Sequence, residues 1–556
     1  MNTVWTAWAC IAAMALLVRA SAADEVLYNG IRLSSPFPPK DHKLSLDPPP
    51  LPPYLVAPPA VIPIDVGRQL FVDDFLVEHT TLTRTYHLAE FHPANPVLKP
   101  DKPWECEGRG PMAMPFSGGV FYDPRDQLFK MWYMGSYSLY LCYATSRDGI
   151  QWDKPSLDAK PGTNIVVPSG GGGANTVWLD LETKDPERRF VFITTHGGED
   201  LIPAGVEWHG SKCSMDVHFS LDGIHWGKPV VRVGPCGDRN SAFWNPFRKV
   251  WVYSIRGAWP FGGVTYGMRC RQYWEVKDLA GGLGWKYGEA PLWVGADDLD
   301  LPRPERKIRT ELYTLDAVGY ESLMLSLFTI YHGWGNVPEG RPKPNELCVG
   351  FSRDGLHWHR PDRRSFIPVS ERPGDWNYGN VQSAGGCCLI VGDKLHFYVS
   401  GRAGCPTFHD ACGSTGLATL RRDGFASMDA GEAAATLTTR PVRFTGKYLF
   451  VNMASSPQGE LVAEALDEHG RVIKPFSMTN CEPLQGDRTA HQVKWRGAAD
   501  LSALSGKPVK FRFHLRNGRL YAFWVSPDAS GASHGYVAAG GPGFTGPTDT
   551  VGIPSR

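Results

Sequence analysis

At 556 residues the chain is long enough for two or three domains, and its 57 Lys and Arg balance its 57 Asp and Glu. A formal charge of zero leaves no broad electrostatic footprint for nucleic acid or an anionic membrane, so neither is expected as a partner. Aromatic residues are abundant, but several of the 19 Trp recur in a repeat and count as packing before they count as sugar platforms.

Residues 1–23 read as a secretory signal peptide. The apolar stretch Trp8 to Val18 precedes Arg19-Ala20-Ser21-Ala22-Ala23, whose small side chains suit cleavage, although the charged segment that normally leads such a signal is missing. The run is too short to span a bilayer and no later segment is long and apolar enough, so the chain is expected to be exported, secreted or periplasmic, without a membrane span. Residues 24–67 form a proline-rich arm or linker that includes Pro48-Pro49-Pro50 and Pro52-Pro53. Such a segment favours polyproline II and is not expected to join a sheet.

From residue 68 to about 430 a four-strand grammar repeats. First and second strands flank short turns: Val120 to Tyr122 with Phe129 to Met134, Thr176 to Leu179 with Phe190 to Thr195, Ala242 to Trp244 with Val250 to Ile255, Tyr313 to Val318 with Met324 to Tyr331, and Gly386 to Val391 with Leu395 to Ser400. The third strand ends in a recurring phrase. It stands as Ser146-Arg147-Asp148-Gly149-Ile150-Gln151-Trp152, as Ser220-Leu221-Asp222-Gly223-Ile224-His225-Trp226, and as Ser352-Arg353-Asp354-Gly355-Leu356-His357-Trp358. A degenerate copy lies near Arg271 to Trp285 and a short echo at Arg421-Arg422-Asp423-Gly424-Phe425. The copies fall one or two periods of about 70 residues apart, which indicates radial units. Asp-Gly supplies the turn, because Gly tolerates positive φ and the carboxylate accepts turn amides, so Asp148, Asp222 and Asp354 read as turn formers and not as catalytic acids.

This pattern predicts an all-β protein, a five-bladed β-propeller followed by a β-sandwich. Asn95 to Leu98 resembles a fourth strand without a blade and is expected to close the last one. A six-bladed count is the alternative, since Asp74 falls one period before Asp148. From 436 to 556 the repeat stops, and short alternating runs such as Val442 to Phe444, Tyr448 to Val451, Leu461 to Leu466 and Val509 to Leu515 predict the sandwich, with a glycine-rich mobile tail from Gly531.

Cys10 lies in the signal, which leaves eleven of the 12 cysteines, an odd number. Cys405 and Cys412 share a loop where a disulfide suits an oxidising compartment, and Cys387-Cys388 reads as buried free thiols. No spacing resembles a zinc site, so neither a metal nor a cofactor is expected.

Propellers bind ligands where the first strands begin, around the axis. The blade entrances therefore nominate Glu107 and Arg109 before blade one, Asn175 for blade two, Asp238, Arg239 and Asn240 for blade three, Glu311 for blade four, and Asn380 for blade five. Asp238 and Glu311 are the expected catalytic carboxylates. Asp316, a lone acid in an apolar strand, suits a general acid raised by burial, and Asp74, within the pair Asp73-Asp74, is a fourth candidate. The remaining Arg, Asn and Glu are expected to hold substrate hydroxyls. Glu321 sits in a strand turn at the far end of the ring and reads as structural.

The strings Leu70-Phe71-Val72-Asp73-Asp74, His92-Pro93-Ala94-Asn95-Pro96-Val97-Leu98, Phe129-Lys130-Met131-Trp132-Tyr133-Met134 and Tyr143-Ala144-Thr145-Ser146 resemble bacterial secreted proteins described as glycoside hydrolase family 32-like. They are also similar to the wider group of five-bladed propellers that holds families 32, 43, 62 and 68. The resemblance covers most of residues 68–428 and implies the propeller, the following sandwich and a glycosidase activity. The family's Asn-Asp-Pro-Asn-Gly, Arg-Asp-Pro and Glu-Cys motifs do not stand at the expected entrances, because Glu105-Cys106 precedes blade one, so no catalytic residue transfers by motif. The repeated phrase is similar to the sialidase Asp-box, one residue shorter.

The function expected from the residues is therefore an exported glycoside hydrolase that cleaves a poly- or oligosaccharide in the central pocket with opposed carboxylates. A non-catalytic carbohydrate-binding propeller and a sialidase-like hydrolase are the alternatives, with a pocket plugged by apolar side chains as the mark of a pure scaffold.

Overall fold

The computed structural model describes residues 24–552 apart from 40–41, 168–174, 198–212, 260–266, 283, 307, 334–340, 342 and 405–411. The expected signal and Cys405 lie outside the described residues. Among those described, no helix is long and apolar enough to cross a membrane.

The repeats fold as five antiparallel blades. Blade one is Val120–Asp123, Leu128–Gly135, Tyr140–Ser146 and Ile165–Val167; blade two is Asn175–Leu179, Phe190–Gly197, Cys213–Ser220 and Val231–Cys236. Blade three is Ser241–Asn245, Val250–Trp259, Met268–Val276 and Leu292–Val294. Blade four is Glu311–Glu321, Leu323–Tyr331 and Asn345–Ser352, with Ile367 bridged to Leu347 as its outer edge. Blade five is Asn380–Ser383 with Leu389–Val391, then Lys394–Arg402 and Gly413–Arg421. Every residue of Leu323–Tyr331 is buried, as a strand covered on both faces by neighbouring blades requires.

The ring closes through the N-terminal side of the chain. Glu90–Phe91 pairs with the third strand of blade five, the Asn95 amide exchanges hydrogen bonds with Leu417 at 2.8 and 2.7 Å, and Leu98 bridges Thr415. First strands meet around the axis: the Val177 amide donates to Gly118 O (2.7 Å), Ser241 Oγ to Leu315 O (2.9 Å), and the Val120 amide to Gly385 O (3.2 Å).

The repeated phrase performs the same job in each blade. Asp148 Oδ1 accepts the amides of Ile150 and Gln151, Asp222 Oδ1 those of Ile224 and His225, and Asp354 Oδ1 those of Leu356 and His357. The residue after each Trp then pairs with the residue before each Ser: Asp153 with Thr145, Gly227 with Phe219, His359 with Phe351. Each turn also clamps the preceding blade. Gly149 O accepts the Tyr398 hydroxyl, Gly223 O the Trp132 indole, and Leu356 O the Trp293 indole.

The C-terminal sheet corrects the reading in three places. Its two principal strands are long, Tyr448–Leu466 and Lys510–Ser526, and register breaks at Asn452/Met453 and Ser455/Glu460 bend them, so runs that look separate in sequence are one strand. Gln69–Leu70, Val77–Thr80 and Thr83–Tyr86 pair with this sheet, so the segment from residue 68 to 86 belongs to the sandwich, and the described residues form no sixth blade. The tail beyond Gly531 is anchored: Tyr536–Val537 pairs with Tyr320–Glu321 of blade four, and Ser533 and Asp549 are buried. The sandwich core is aromatic and aliphatic, around Phe71, Phe444, Phe511, Phe513 and Phe523.

The proline-rich arm hugs the propeller. Asn29 Nδ2 donates to Arg353 O and the Tyr54 hydroxyl to His357 O, both on the third-strand turn of blade four. Its last residues do enter a sheet, contrary to expectation: Ile62–Pro63 runs parallel to Val442–Arg443, an edge where the missing proline N–H costs nothing.

Candidate functional site

The axial ends of the first strands bring blades three, four and five together. Asp238 lies between blades two and three with its side chain 48% exposed, and Arg256 Nη1 meets its Oδ1 at 2.8 Å. Burial pushes this carboxyl up, but the guanidinium groups of Arg256, Arg239 and Arg269 outweigh that and hold it below the usual carboxylate range. Glu311 opens the first strand of blade four, and its Oε2 accepts both the backbone N–H and Nη1 of Arg269 at 2.9 Å. Arg269 thus bridges the two predicted carboxylates, one by contact and one through its field. Arg239 is buried, with its guanidinium 4.3 Å from the Phe116 ring centroid and the Tyr313 phenol within hydrogen-bonding reach.

Tyr313 is the residue sequence reasoning missed. Blade four registers Leu312 against Ile330 and Thr314 against Thr329, so Tyr313 is the extra residue of a β-bulge. Bulges re-aim a side chain, and this one sits in the cluster of Met112, Met114, Phe116, Met134 and Tyr331. Burial raises its phenol, yet Lys343, Arg239 and Arg402 outweigh burial and bring it down to about 8. Arg402 ends the second strand of blade five, 5.3 Å from Phe116 and 5.8 Å from Tyr137. The same four-strand grammar points to it once second-strand ends are counted with first-strand starts, because both reach the axial mouth.

Beneath this layer, Arg271 fixes the geometry. Fully buried, it donates Nη1 to Arg239 O (2.9 Å) and Tyr313 O (3.1 Å), holding both backbones at once. Burial lowers its own guanidinium to about 10.

The other predicted residues separate. Asp316 is fully buried below the mouth and accepts the Ser117 hydroxyl from blade one (3.2 Å) and the Ser383 hydroxyl from blade five, so it pins three blades rather than facing substrate. Burial raises its carboxyl, as anticipated, while Ser383 and Ser117 oppose the rise. Asn240 is turned to the chain, donating to Gly237 O (2.9 Å) and accepting the Arg256 amide (2.9 Å). Asn380 donates to Lys343 O at 2.7 Å, and its buried Oδ1 has no hydrogen-bond partner among the described residues. Asn175 is buried opposite Thr194 at the start of blade two. Glu107 and Arg109 are exposed on the loop before blade one, where Glu107 Oε2 accepts the Tyr140 hydroxyl at 2.8 Å. Asp74 is misplaced: 69% exposed and paired with Arg84, it lies in the segment that joins the sandwich, and it takes no part in the axial site. Its neighbour Asp73 is the buried one, paired with Arg353 at 2.8 Å, which explains the carboxylate pair in an apolar run.

A cavity of about 490 Å³ lies away from the axis, between residues 48–53 of the arm and Trp293, Trp358 and Arg360. Of its two lining aspartates, Asp297 is paired with Arg360 (2.9 Å) and Arg363 (3.0 Å), and Asp47 on the arm accepts the Ser45 hydroxyl at 2.7 Å. No group of three or more potential metal ligands comes together among the described residues. Cys387 and Cys388 are buried and unbridged, as expected.

No protein-family model matches the chain, nor does any curated protein sequence. Solved structures similar to it include an N-acetylgalactosamine deacetylase from F. plautii in complex with blood group B trisaccharide. The identity is 14% over 61% of this chain and 96% of that one, with a TM-score of 0.40. A fructofuranosidase from Schwanniomyces occidentalis complexed with fructosylnystose is 12% identical over 79% and 96% (TM-score 0.35). A family 43 arabinoxylan arabinofuranohydrolase from Bacillus subtilis in complex with cellotetraose is 10% identical over 79% and 98% (TM-score 0.34). The fold assignment rests on the strand pairing described above, and the likeness to family 32 read from motifs stays at the level of fold.

Proposed function

We propose that the chain is an exported glycoside hydrolase whose substrate meets Asp238 and Tyr313 at the axial mouth. The observation that carries this reading is one cluster containing an exposed carboxylate kept ionised and a phenol kept protonated at neutral pH, on adjacent blades. Asp238, stabilised as an anion by three guanidinium groups, either attacks the anomeric carbon or draws a proton from water. Tyr313, at about 8, gives its proton to the leaving glycosidic oxygen and recovers one from water, so a water molecule is added across the broken C–O bond. Glu311 is committed to Arg269, accepting both its backbone N–H and its Nη1 at 2.9 Å. It orients Arg269 and accepts a substrate hydroxyl. Arg239 and Asn380 supply further contacts to sugar oxygens.

Purified protein incubated with a glycan panel tests this directly. Release of sugar that falls by orders of magnitude in Asp238→Asn and Tyr313→Phe, with unchanged melting, supports it. Binding without release by the parental protein favours the non-catalytic propeller instead. Export is tested separately, by the N-terminal sequence of the mature protein.

A further inference from the structure

Among the described residues, blade two brings two cysteines face to face across adjacent strands. Its third and fourth strands run antiparallel, and Cys213 stands directly opposite Cys236 in their register. Opposed residues of such strands have Cα atoms about 4.5–5.5 Å apart, inside the span of about 4.4–6.8 Å that a disulfide bridges. Their side chains project to the same face, and the register break between Cys213 and Met215 leaves the two opposed. Other cysteines with strand partners face different residues: Cys142 meets Tyr133 and Ile165, Cys270 meets Gly257, and Cys348 meets Phe328. Both thiols of blade two are buried, 5% and 0% exposed, and unbridged. Asn240 Nδ2 donates to Cys236 Sγ at 3.4 Å, which sets that sulfur against the turn Gly237-Asp238-Arg239-Asn240.

We propose that Cys213 and Cys236 form a disulfide that locks the last two strands of blade two together beside the axial mouth. The chain enters Asp238 and Arg239 directly from this fourth strand, so the bridge fixes the backbone that carries both. The bridge uses only the export part of the proposed function, which supplies an oxidising compartment, and does not depend on hydrolysis. A disulfide oxidant such as glutathione disulfide completes the chemistry. One cysteine thiolate attacks an oxidant sulfur, giving a mixed disulfide and releasing one glutathione thiol. The second thiolate then attacks the protein sulfur of that mixed disulfide, forming the bridge and releasing the other thiol. Two protein thiols thus lose two electrons and two protons, and the oxidant gains both. Burial is the largest influence on each thiol and raises both, Cys213 to about 11, with the neighbouring Asp238 adding to the rise. Neither is therefore an attacking thiolate in the finished blade, and the bridge is laid down as the blade folds.

The test is peptide mapping of the full chain, prepared in two ways. One sample is secreted into a bacterial periplasm, and the other is refolded from denaturant in a mixture of reduced and oxidised glutathione. Free thiols are alkylated under denaturing conditions before digestion and mass spectrometry. A peptide linked through Cys213 and Cys236 is expected, separated by reductant into its two halves. Folded, reduced protein should acquire the link at least tenfold more slowly than protein refolded in the same mixture. Reduction should lower the melting temperature by a few degrees, a drop that shrinks or vanishes in Cys236→Ser and persists in Cys412→Ser. Mapping of the parental chain decides the matter if Cys236→Ser does not fold. Cys213 and Cys236 alkylated separately in both samples, either one linked to another cysteine, or an equal melting drop in Cys236→Ser would overturn the inference. The linked peptide in a protein that cleaves no glycan would sink the hydrolase reading and leave the bridge standing. Glycan cleavage by protein whose two thiols stay separate in both samples would do the reverse.

Discussion

Arg68 and Asp423, 355 residues apart in sequence, meet at 2.9 Å with both side chains buried. Around them the Tyr320 hydroxyl and Asn452 Nδ2 bond Asp423, Arg422 bonds Glu321 and Asp549, and Ser533 bonds Glu321. The cluster therefore ties blade four, the last turn of blade five, the sandwich and the C-terminal tail into one unit. Glu321 is structural, as its place in the turn implies. Removing one partner strands a buried charge, so Arg68→Met should destabilise the fold by about 3–5 kcal/mol. The double variant Arg68→Met with Asp423→Leu should lose less than the sum of the two single changes. Denaturant midpoints for the four proteins check this, and strict additivity would mean the pair is not coupled.

The repeat turns make a second prediction with a built-in contrast. Gly223 has φ +77° and a Cβ there would lie 2.5 Å from the Trp132 ring, so Gly223→Ala should cost about 2 kcal/mol or more through strain and displaced packing. Asp222→Asn keeps an acceptor and should cost less than about 1 kcal/mol at neutral pH. Burial raises the Asp222 carboxyl, but His225 and the turn amides bring it down to about 2. A folded value below the unfolded one means its contribution is present above about pH 4 and fades as pH falls toward 2, an effect reduced by the solvent around this half-exposed group. Turnover per folded molecule should stay at the parental level in Asp222→Asn. A loss of turnover without a change in melting would place this residue in the chemistry.

How far the chain is legible depends on the range of the interaction. The blade order follows from local chemistry, since Asp-Gly turns, alternating strands and the recurring Trp lie within a few residues of one another. Asp238, Arg239 and Glu311 follow from it too, because a strand's starting position in a propeller dictates that it faces the axis. What the sequence conceals are pairings that span hundreds of residues and irregularities inside a strand. The Asp73–Arg353 ion pair and the pairing of Thr83–Tyr86 with Ala426–Ala430 are of the first kind, and they draw Asp74 away from the axis. The bulge at Tyr313 is of the second kind, since Tyr313 reads as one more alternating position in Glu311–Glu321. Asp316 is half legible: its burial is evident from its neighbours, but the serines that receive it come from blades one and five.

Two aspartates nominated together from sequence should now behave oppositely. Asp238→Asn should reduce turnover by about 10²–10⁴-fold, the usual weight of a lost acid–base or nucleophilic group. Asp74→Asn should leave turnover at the parental level, because Asp74 is exposed beside Arg84 on the sandwich side. Initial rates on the best glycan from a panel, normalised to folded protein, make the comparison. Equal losses in both variants would argue for a shared effect on folding, and no loss in Asp238→Asn would remove it from the mechanism.

The pH profile tests Tyr313 most directly. Burial would keep this phenol neutral far into alkali, but Lys343, Arg239 and Arg402 lower it to about 8, with Asp238 pulling the other way and Arg269, Tyr331 and Tyr137 completing its surroundings. Below that value the proton is present and the leaving oxygen can receive it, whereas above it the phenolate has no proton to give. Activity should therefore fall as pH passes about 8, through loss of the acid. Tyr313→Phe should be slow throughout and lack this alkaline limb. Lys343→Gln removes one of the cations that stabilise the phenolate, so the limb should move to higher pH while the rate on its plateau is largely kept. An alkaline limb that persists unchanged in Tyr313→Phe would assign the titration to another group and leave Asp238 without its acid.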